Sequence, residues 1–393
     1  MDMTRNFVEI KNLKLEKSET LQRLSAEVDS DILWFEFPID FNIEARGELF
    51  IAMALLEAMI SNLPIKVASD IPVSPLLLKS LISLQEIYIC WNSDLSKIDI
   101  LADNQQPPQT TNDHVVSFYS GGVDGSFSYC KHKEEITHLV TLAGFDVVSK
   151  AHQLPDLVKK NQEFSSAVGV NFAVVDNNSR QFFNKRKITY AFQYGLTLAG
   201  IAVTLGVKKI FIPSSYTYSE LFPSGSHPST DPLWSIEGRE IVHDGAAQSR
   251  TNKIAYISHN QAVLNNLQVC WKNIAVNCGK CSKCLRTRAA LHLLNAKSDS
   301  LAPVGSYTEL KPLRLTGKAS MPFIQDLARL AKKKGDGDIE KTFNHILKKY
   351  LIRYYFEGLI KTLFGKTLIA LVHKLRGAAW KEHRVNIEGN NES

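Results

Sequence analysis

From residue 114 onward, apolar runs of strand length alternate with longer stretches of helical period. HVVSFYS (His114–Ser120), THLVTLAGFD (Thr137–Asp146), NFAVVD (Asn171–Asp176) and KKIFIPSS (Lys208–Ser215) read as strands. A helical pattern follows Gly121-Gly122, a second covers LPDLVKKNQEFSSAVG (Leu154–Gly169), and a third covers ITYAFQYGLTLAGIAVTLG, closed by Gly206. Strands separated by helices predict an α/β fold, a parallel sheet with helices on both faces. Ligands of such sheets bind at the carboxyl ends of the strands. Before this region, ILWFEFP (Ile32–Pro38) predicts a strand and GELFIAMALLEAMISNL (Gly47–Leu63) a helix that is apolar on most faces. IKVAS predicts a short strand, and SPLLLKSLISLQEIYICW (Ser74–Trp91) a helix running into a further strand. ADNQQPPQTTND is polar and contains proline, a linker by composition. The pattern therefore divides the chain into an α/β region at 1–101, a linker at 102–113, a β/α region at 114–300 and a helical region at 301–393.

With 393 residues, 44% hydrophobic and 22% charged, the chain has the bulk of an ordinary globular protein of one large or two smaller domains. No apolar run approaches the roughly 18 residues of a membrane span, and MDMTRNFVEIKNLKLEK lacks the apolar core of a signal peptide. The expectation is a cytoplasmic protein without membrane partners. The net charge of +6 suits an anionic ligand. Its excess is concentrated in LARLAKKKG and HILKKYLIRYY, which read as solvated helix faces and leave nucleic-acid binding open.

Two short stretches carry chemistry. In SGGVDGS (Ser120–Ser126), the two glycines allow consecutive backbone N–H groups to turn towards one anion at the start of a helix. The stretch is neither a Walker A loop nor a GxGxxG fingerprint. In VCWKNIAVNCGKCSKCLRTR, Cys270, Cys278, Cys281 and Cys284 form C-x7-C-x2-C-x2-C within fifteen residues. That spacing suits Zn²⁺ held by four thiolates, a closed and therefore structural site; an iron–sulfur cluster is the alternative. Cys90 and Cys130 sit in apolar surroundings and read as inert core residues.

The loop, placed after the first strand of a β/α unit, resembles the SGGxDS signature of the PP-loop ATP pyrophosphatases. Ser120, Gly121, Gly122 and Asp124 match, Val123 fills the variable place, and Gly125 stands where the final serine would be. Ser126, one place later and about 100° further round a helix, need not take over that hydroxyl. Together with the cysteine spacing, the stretch from about 114 to 295 is similar to the 7-cyano-7-deazaguanine synthase family, with the flanking regions as additions. The resemblance implies a Rossmann-like PP-loop (HUP-type) α/β/α fold with a zinc knuckle. It further implies a C–N ligase reaction in which Mg·ATP adenylylates a carboxylate such as 7-carboxy-7-deazaguanine, releasing pyrophosphate. Ammonia or a protein amine then displaces AMP, giving an amide or, after a second round, a nitrile. Extended relatives of this kind occur in bacterial anti-phage operons.

The resemblance also implies roles for residues outside the loop. Gly144 and Asp146, at the end of the second strand, would serve adenosine or Mg²⁺. Ser215, Tyr216, Tyr218, His227, Asp231 and Trp234 would line the heterocycle pocket, with His227 open between proton carrier and structural residue. Lys253 would stand near the triphosphate, so that Ser120, Asp124 and Lys253 form the catalytic set. Two rivals remain at this stage: a tRNA-modifying PP-loop enzyme, and an ATP-binding module without chemistry.

Overall fold

The computed structural model of the protein describes residues 5–144, 151–315 and 317–375. It divides into two compact units, one running to Ala247 and the other from Gln248.

The first unit is built on one ten-stranded sheet. Its elements in chain order are β1 (Val8–Lys17), β2 (Leu21–Val28), β3 (Asp31–Pro38), α1 (Glu48–Ser61), β4 (Ile65–Val67), α2 (Pro75–Trp91), β5 (Ile100–Leu101), β6 (Asn112–Phe118), α3 (Val123–Lys131), β7 (His138–Leu142), α4 (Leu154–Val168), β8 (Asn171–Asn177), α5 (Ser179–Lys185), α6 (Tyr190–Thr204), β9 (Val207–Pro213) and β10 (Glu240–Asp244). The strand order is β10-β9-β6-β7-β8-β3-β2-β1-β4-β5. Pairing is parallel from β10 through to β8. β3 then joins β8 antiparallel, Phe35 opposite Asn177, and β1–β3 form an antiparallel meander. The sheet is thus mostly parallel, as expected. The strands of the N-terminal region extend it, because alternate residues such as Leu24, Leu33, Phe35 and Phe37 enter the same core as Val116, Val140 and Ile210.

β1 and β2 are not among the expected strands: the register of β1 shifts between Lys11 and Lys14, which breaks its alternation, and the inward positions of β2 include Gln22 and Ala26, which are not strongly apolar. The strand expected at the end of Ser74–Trp91 is absent: α2 continues to Trp91, and its start is capped by the Ser74 hydroxyl accepting the Leu77 N–H. The segment after Ala102 is held by hydrogen bonds to its carbonyls. Arg46 donates to the carbonyls of Gln106 and Pro107, the buried Arg239 to that of Thr110, and Asn112–Asp113 already belong to β6.

The helix apolar on most faces, α1, is buried along nearly its whole length and packs on α6. The two backbones approach closely at Gly200, where a Cβ would lie 2.8 Å from Leu49 Cδ1 and 3.4 Å from Ala52 Cβ.

The second unit contains α7 (Arg250–Ile257), α8 (Gln261–Asn266), α9 (Ser282–Leu293), α10 (Met321–Lys334) and α11 (Gly337–Leu375). Helix α10 packs against α7, α9 and α11. The Asp326 carboxylate of α10 accepts the Thr251 N–H in the first turn of α7, which satisfies one of that helix's unpaired donors. Among the described residues no helix is long and apolar enough to cross a membrane.

Candidate functional site

Counted from β6, the parallel strands lie in the order 3-2-1-4-5, that of doubly wound nucleotide-binding sheets. The chain moves outward from β6 through β7 to β8, then returns to the other side of β6 for β9 and β10. Its direction reverses between β6 and β9, and the crevice at their carboxyl ends is where such sheets bind ligands. The glycine loop follows β6 and the Ser214-Ser215-Tyr216 segment follows β9, so both edges of that crevice come from stretches singled out in the sequence.

Within the loop, Ser120 is exposed, Gly121 takes φ +76° and Gly122 caps α3. Only glycine adopts the first conformation at low cost, and α3 starts directly after the carboxyl end of β6. Val123 is buried, so its backbone alone can meet a ligand. Asp124 is half-buried, and its carboxylate accepts the Ser215 hydroxyl at 3.2 Å. A Cβ at Gly125 would lie 3.1 Å from the Phe118 carbonyl oxygen and 3.4 Å from Tyr119 Cα. A side chain there would press on the backbone at the end of β6, which would have to give by a few tenths of an ångström. Ser126 does not restore the hydroxyl at the loop, for its Oγ is buried without a hydrogen-bond partner among the described residues.

Behind the loop, Asp244 at the end of β10 gathers three side chains of α3 and its cap. It accepts from Ser128 Oγ at 2.7 Å and Lys131 Nζ at 2.6 Å, and meets His132 Nε2 at 3.1 Å. Burial raises the Asp244 pKa, but these hydrogen bonds outweigh it and hold the carboxyl below the usual range. A depressed folded pKa means that the stabilisation is present above the unfolded value of about 3.9 and is lost as pH falls through the lower folded one. Asp244→Asn is expected to cost about 2 kcal/mol at pH 7. Denaturant titrations should show that difference constant down to about pH 4 and shrinking below it.

Beyond β9 and β10, Pro213, Ser215, Tyr216, Phe222, His227 and His243 line a cleft, to which Tyr194 and Leu198 of α6 also contribute. Two glycines create it. Gly195 of α6 and Gly225 of the facing segment touch backbone to backbone, a Cβ on Gly195 falling 1.8 Å from the Gly225 carbonyl carbon. Gly225 N–H donates to the Ala191 carbonyl, which fixes Ser224–Asp231 over the helix. Asp231 is 1% exposed and accepts from Ser226 Oγ, the His227 N–H and His243 Nδ1. His227 packs edge-on against Trp91.

Of the expected heterocycle pocket, the structure thus brings together Ser215, Tyr216 and His227. Asp231 stands behind the cleft with its oxygens already bonded. Tyr218 is exposed and is not part of the lining. Trp234 offers no face to a ligand, because it is 1% exposed within the core. His243 and Asp244 are the last two residues of β10. Tyr194, Phe222 and Leu198 were missed: their apolar or helical context marks them only as core. Gly144, two residues beyond the end of β7, has φ +75°, and a Cβ there would collide with the Asn177 carbonyl, so its glycine serves a tight approach to β8. Asp146 lies outside the described residues. Lys253 lies on α7 in the second unit and is 1% exposed.

In the second unit the four cysteines converge. All their sulfurs lie within 4.8 Å of one another, with Cys270–Cys281 at 3.8 Å and Cys278–Cys284 at 4.0 Å. A tetrahedron of ~2.3 Å metal–sulfur bonds has sulfur–sulfur edges of about 3.8 Å, so the cluster fits a metal ion such as zinc. The Asn273 N–H donates to Cys270 Sγ and the Cys281 N–H to Cys278 Sγ, each at 3.3 Å. Gly279 at φ +67° turns the second of these knuckles, and Arg288 braces it through the Gly279 carbonyl. Asn277 ties the cluster to its surroundings, accepting from the Val269 and Cys270 N–H groups and donating to the Leu267 and Ser300 carbonyls. A hydrogen bond from Cys284 pulls the Cys281 thiol down to about 4, against the effect of burial. Cys281 also caps α9, where the helix dipole favours a thiolate. The remaining cysteines divide: Cys90 is exposed rather than in the core, while burial pushes the half-buried Cys130 up to about 11. Compared with protein-family models, with curated proteins and with solved structures, the chain has no match.

Proposed function

We propose that the protein is an ATP-dependent ligase of the cytoplasm that adenylylates a heterocyclic carboxylate and passes the acyl group to an amine. One observation carries this reading: the glycine loop stands at the reversal point of the sheet, and Asp124 is bonded to Ser215, a residue of the adjoining cleft. The N–H groups at the start of α3 would receive the phosphates, with the Asp124 carboxylate available to Mg²⁺. The carboxylate substrate would occupy the cleft, its ring against Tyr216 and Phe222. In the reaction, the substrate carboxylate attacks the α-phosphate, pyrophosphate leaves, and an acyl adenylate forms. The loop's part is positioning and charge stabilisation. The four-thiolate centre, closed to further ligands, would have a structural role.

The test is incubation with Mg·ATP and 7-carboxy-7-deazaguanine, separating AMP plus pyrophosphate from ADP plus phosphate. AMP that depends on the acid is the expected product. Nucleotide binding without AMP would instead favour a binding module. Asp124→Asn is expected to lower acid-dependent AMP formation at least about 100-fold, the scale seen when one electrostatic stabiliser is removed from a transition state. An undiminished rate would exclude the loop as the reaction site.

A further inference from the structure

The two histidines of the cleft are held in opposite hydrogen-bonding states. His243 meets the Asp231 carboxylate through Nδ1 at 2.7 Å. An ionised carboxylate only accepts, so this bond keeps a proton on Nδ1, and in the neutral ring Nε2 is then the acceptor. That Nε2 is buried and has no hydrogen-bond partner among the described residues, although the His243 side chain lines the cleft. A buried acceptor without a partner costs stability and calls for a reason. His227 is arranged the other way round. Its Nδ1 accepts the Ser229 N–H at 3.0 Å, which leaves the ring proton on Nε2. Burial and the nearby His243 both favour its neutral form.

The hydroxyls around them are committed. Ser215 donates to Asp124, Ser226 to Asp231, Ser214 to the Tyr216 carbonyl, and Ser224 is paired with Tyr194. The cleft thus presents an oriented base with no serine at its disposal, which suits a nucleophile brought in from outside. A histidine backed by a buried carboxylate favours an N–H donor, and above all an amine that must lose a proton on reaction.

We infer that His243 is the general base of the amide-forming step and that Asp231 is its positioning residue. The inference rests on the adenylylation reading above. The amine nitrogen attacks the acyl carbon of the adenylate and the C–N bond forms. The bond from that carbon to the phosphate oxygen breaks, and its electron pair leaves with AMP. The amine proton passes to His243 Nε2, and Asp231 offsets the charge of the imidazolium.

The experiment compares two nucleophiles with wild-type protein, Mg·ATP and 7-carboxy-7-deazaguanine. Ammonium must be deprotonated to react, whereas hydroxylamine is unprotonated at neutral pH and traps the acyl adenylate as a hydroxamate without help from a base. His243→Gln is expected to lower amide formation about 100-fold. It should also raise the ratio of hydroxamate to amide at least tenfold. Asp231→Asn should move the ratio in the same direction. A lower total rate with an unchanged ratio would mean a purely structural histidine and overturn the inference. No hydroxamate from the wild type would refute adenylylation, and the base would fall with it. Independently of activity and of how the variants fold, ¹⁵N spectra of the wild-type protein should show His243 Nε2 unprotonated at pH 8. A proton on that nitrogen overturns the assignment.

Discussion

Cys284→Ser is expected to empty the four-cysteine centre and to destabilise the second unit by several kcal/mol, a fraction of the roughly 10–16 kcal/mol that a structural zinc contributes in small zinc domains. Cys284 is fully buried on α9, with its sulfur 4.0 Å from that of Cys278. A serine hydroxyl there would replace a thiolate ligand with a poor one and leave three thiols crowded without the charge that holds them together. Around the centre the core is thin: the other cysteines, Leu301, Val269 and Trp271 make up its apolar cluster. Metal analysis of the purified protein should find one ion per chain in the wild type and almost none in the variant, with a lower melting transition. Chelation of the wild type should reproduce both effects, more readily at low pH, because protons compete for the thiolates. Cys90→Ser, at an exposed position away from the cluster, serves as the comparison and should change neither. An unaltered melting transition in Cys284→Ser would remove the structural role.

Gly195→Ala should be nearly as damaging, although it adds a single methyl group. The new carbon would fall 1.8 Å from the Gly225 carbonyl carbon, 1.9 Å from its oxygen and 2.3 Å from the Ser226 nitrogen. These are backbone atoms and cannot rotate away, so α6 and the Ser224–Asp231 segment must part. Overpacking of this kind costs about 1–3 kcal/mol and sometimes more. The greater effect falls on the site. The displaced segment carries Ser226, His227 and Asp231, and with Asp231 goes the bond that orients His243. Denaturant unfolding should show the loss of stability, and ¹⁵N spectra should show His243 without its fixed proton on Nδ1. Gly337, where a Cβ meets nothing within 4 Å, should accept alanine within about 1 kcal/mol. A tolerant Gly195 would mean that the segment can lift without loss, and the cleft would then not be a built site.

The anchoring of α3 bears on the same question. Asp244 binds side chains one turn apart on α3 and just beyond its end, and so fixes the direction in which the loop's N–H groups point. The loop is pressed from the other side by the close contact of Gly125 with Phe118.

The sequence by itself determined the alternation of strand and helix after residue 114, the glycine loop at the end of the first of those strands, and the four cysteines. Each of these signals is local. Hydrophobic period, a pair of glycines with no side chain, and fixed spacing of one ligand type do not depend on what lies across the molecule. The tertiary structure alone decided which polar residues share a cavity. Asp124 and Ser215 are 91 positions apart, Ser128 and Asp244 are 116 apart, and no period or motif links them. It also decided that Trp234 belongs to the core and His243 to the cleft. An aromatic residue and a histidine in polar stretches look alike in sequence, and only the tertiary packing sets which of them borders the cleft. The register shift in β1 and the inward Gln22 and Ala26 of β2 weakened the period of two, and it took the antiparallel join of β3 to β8 to make those strands part of one sheet.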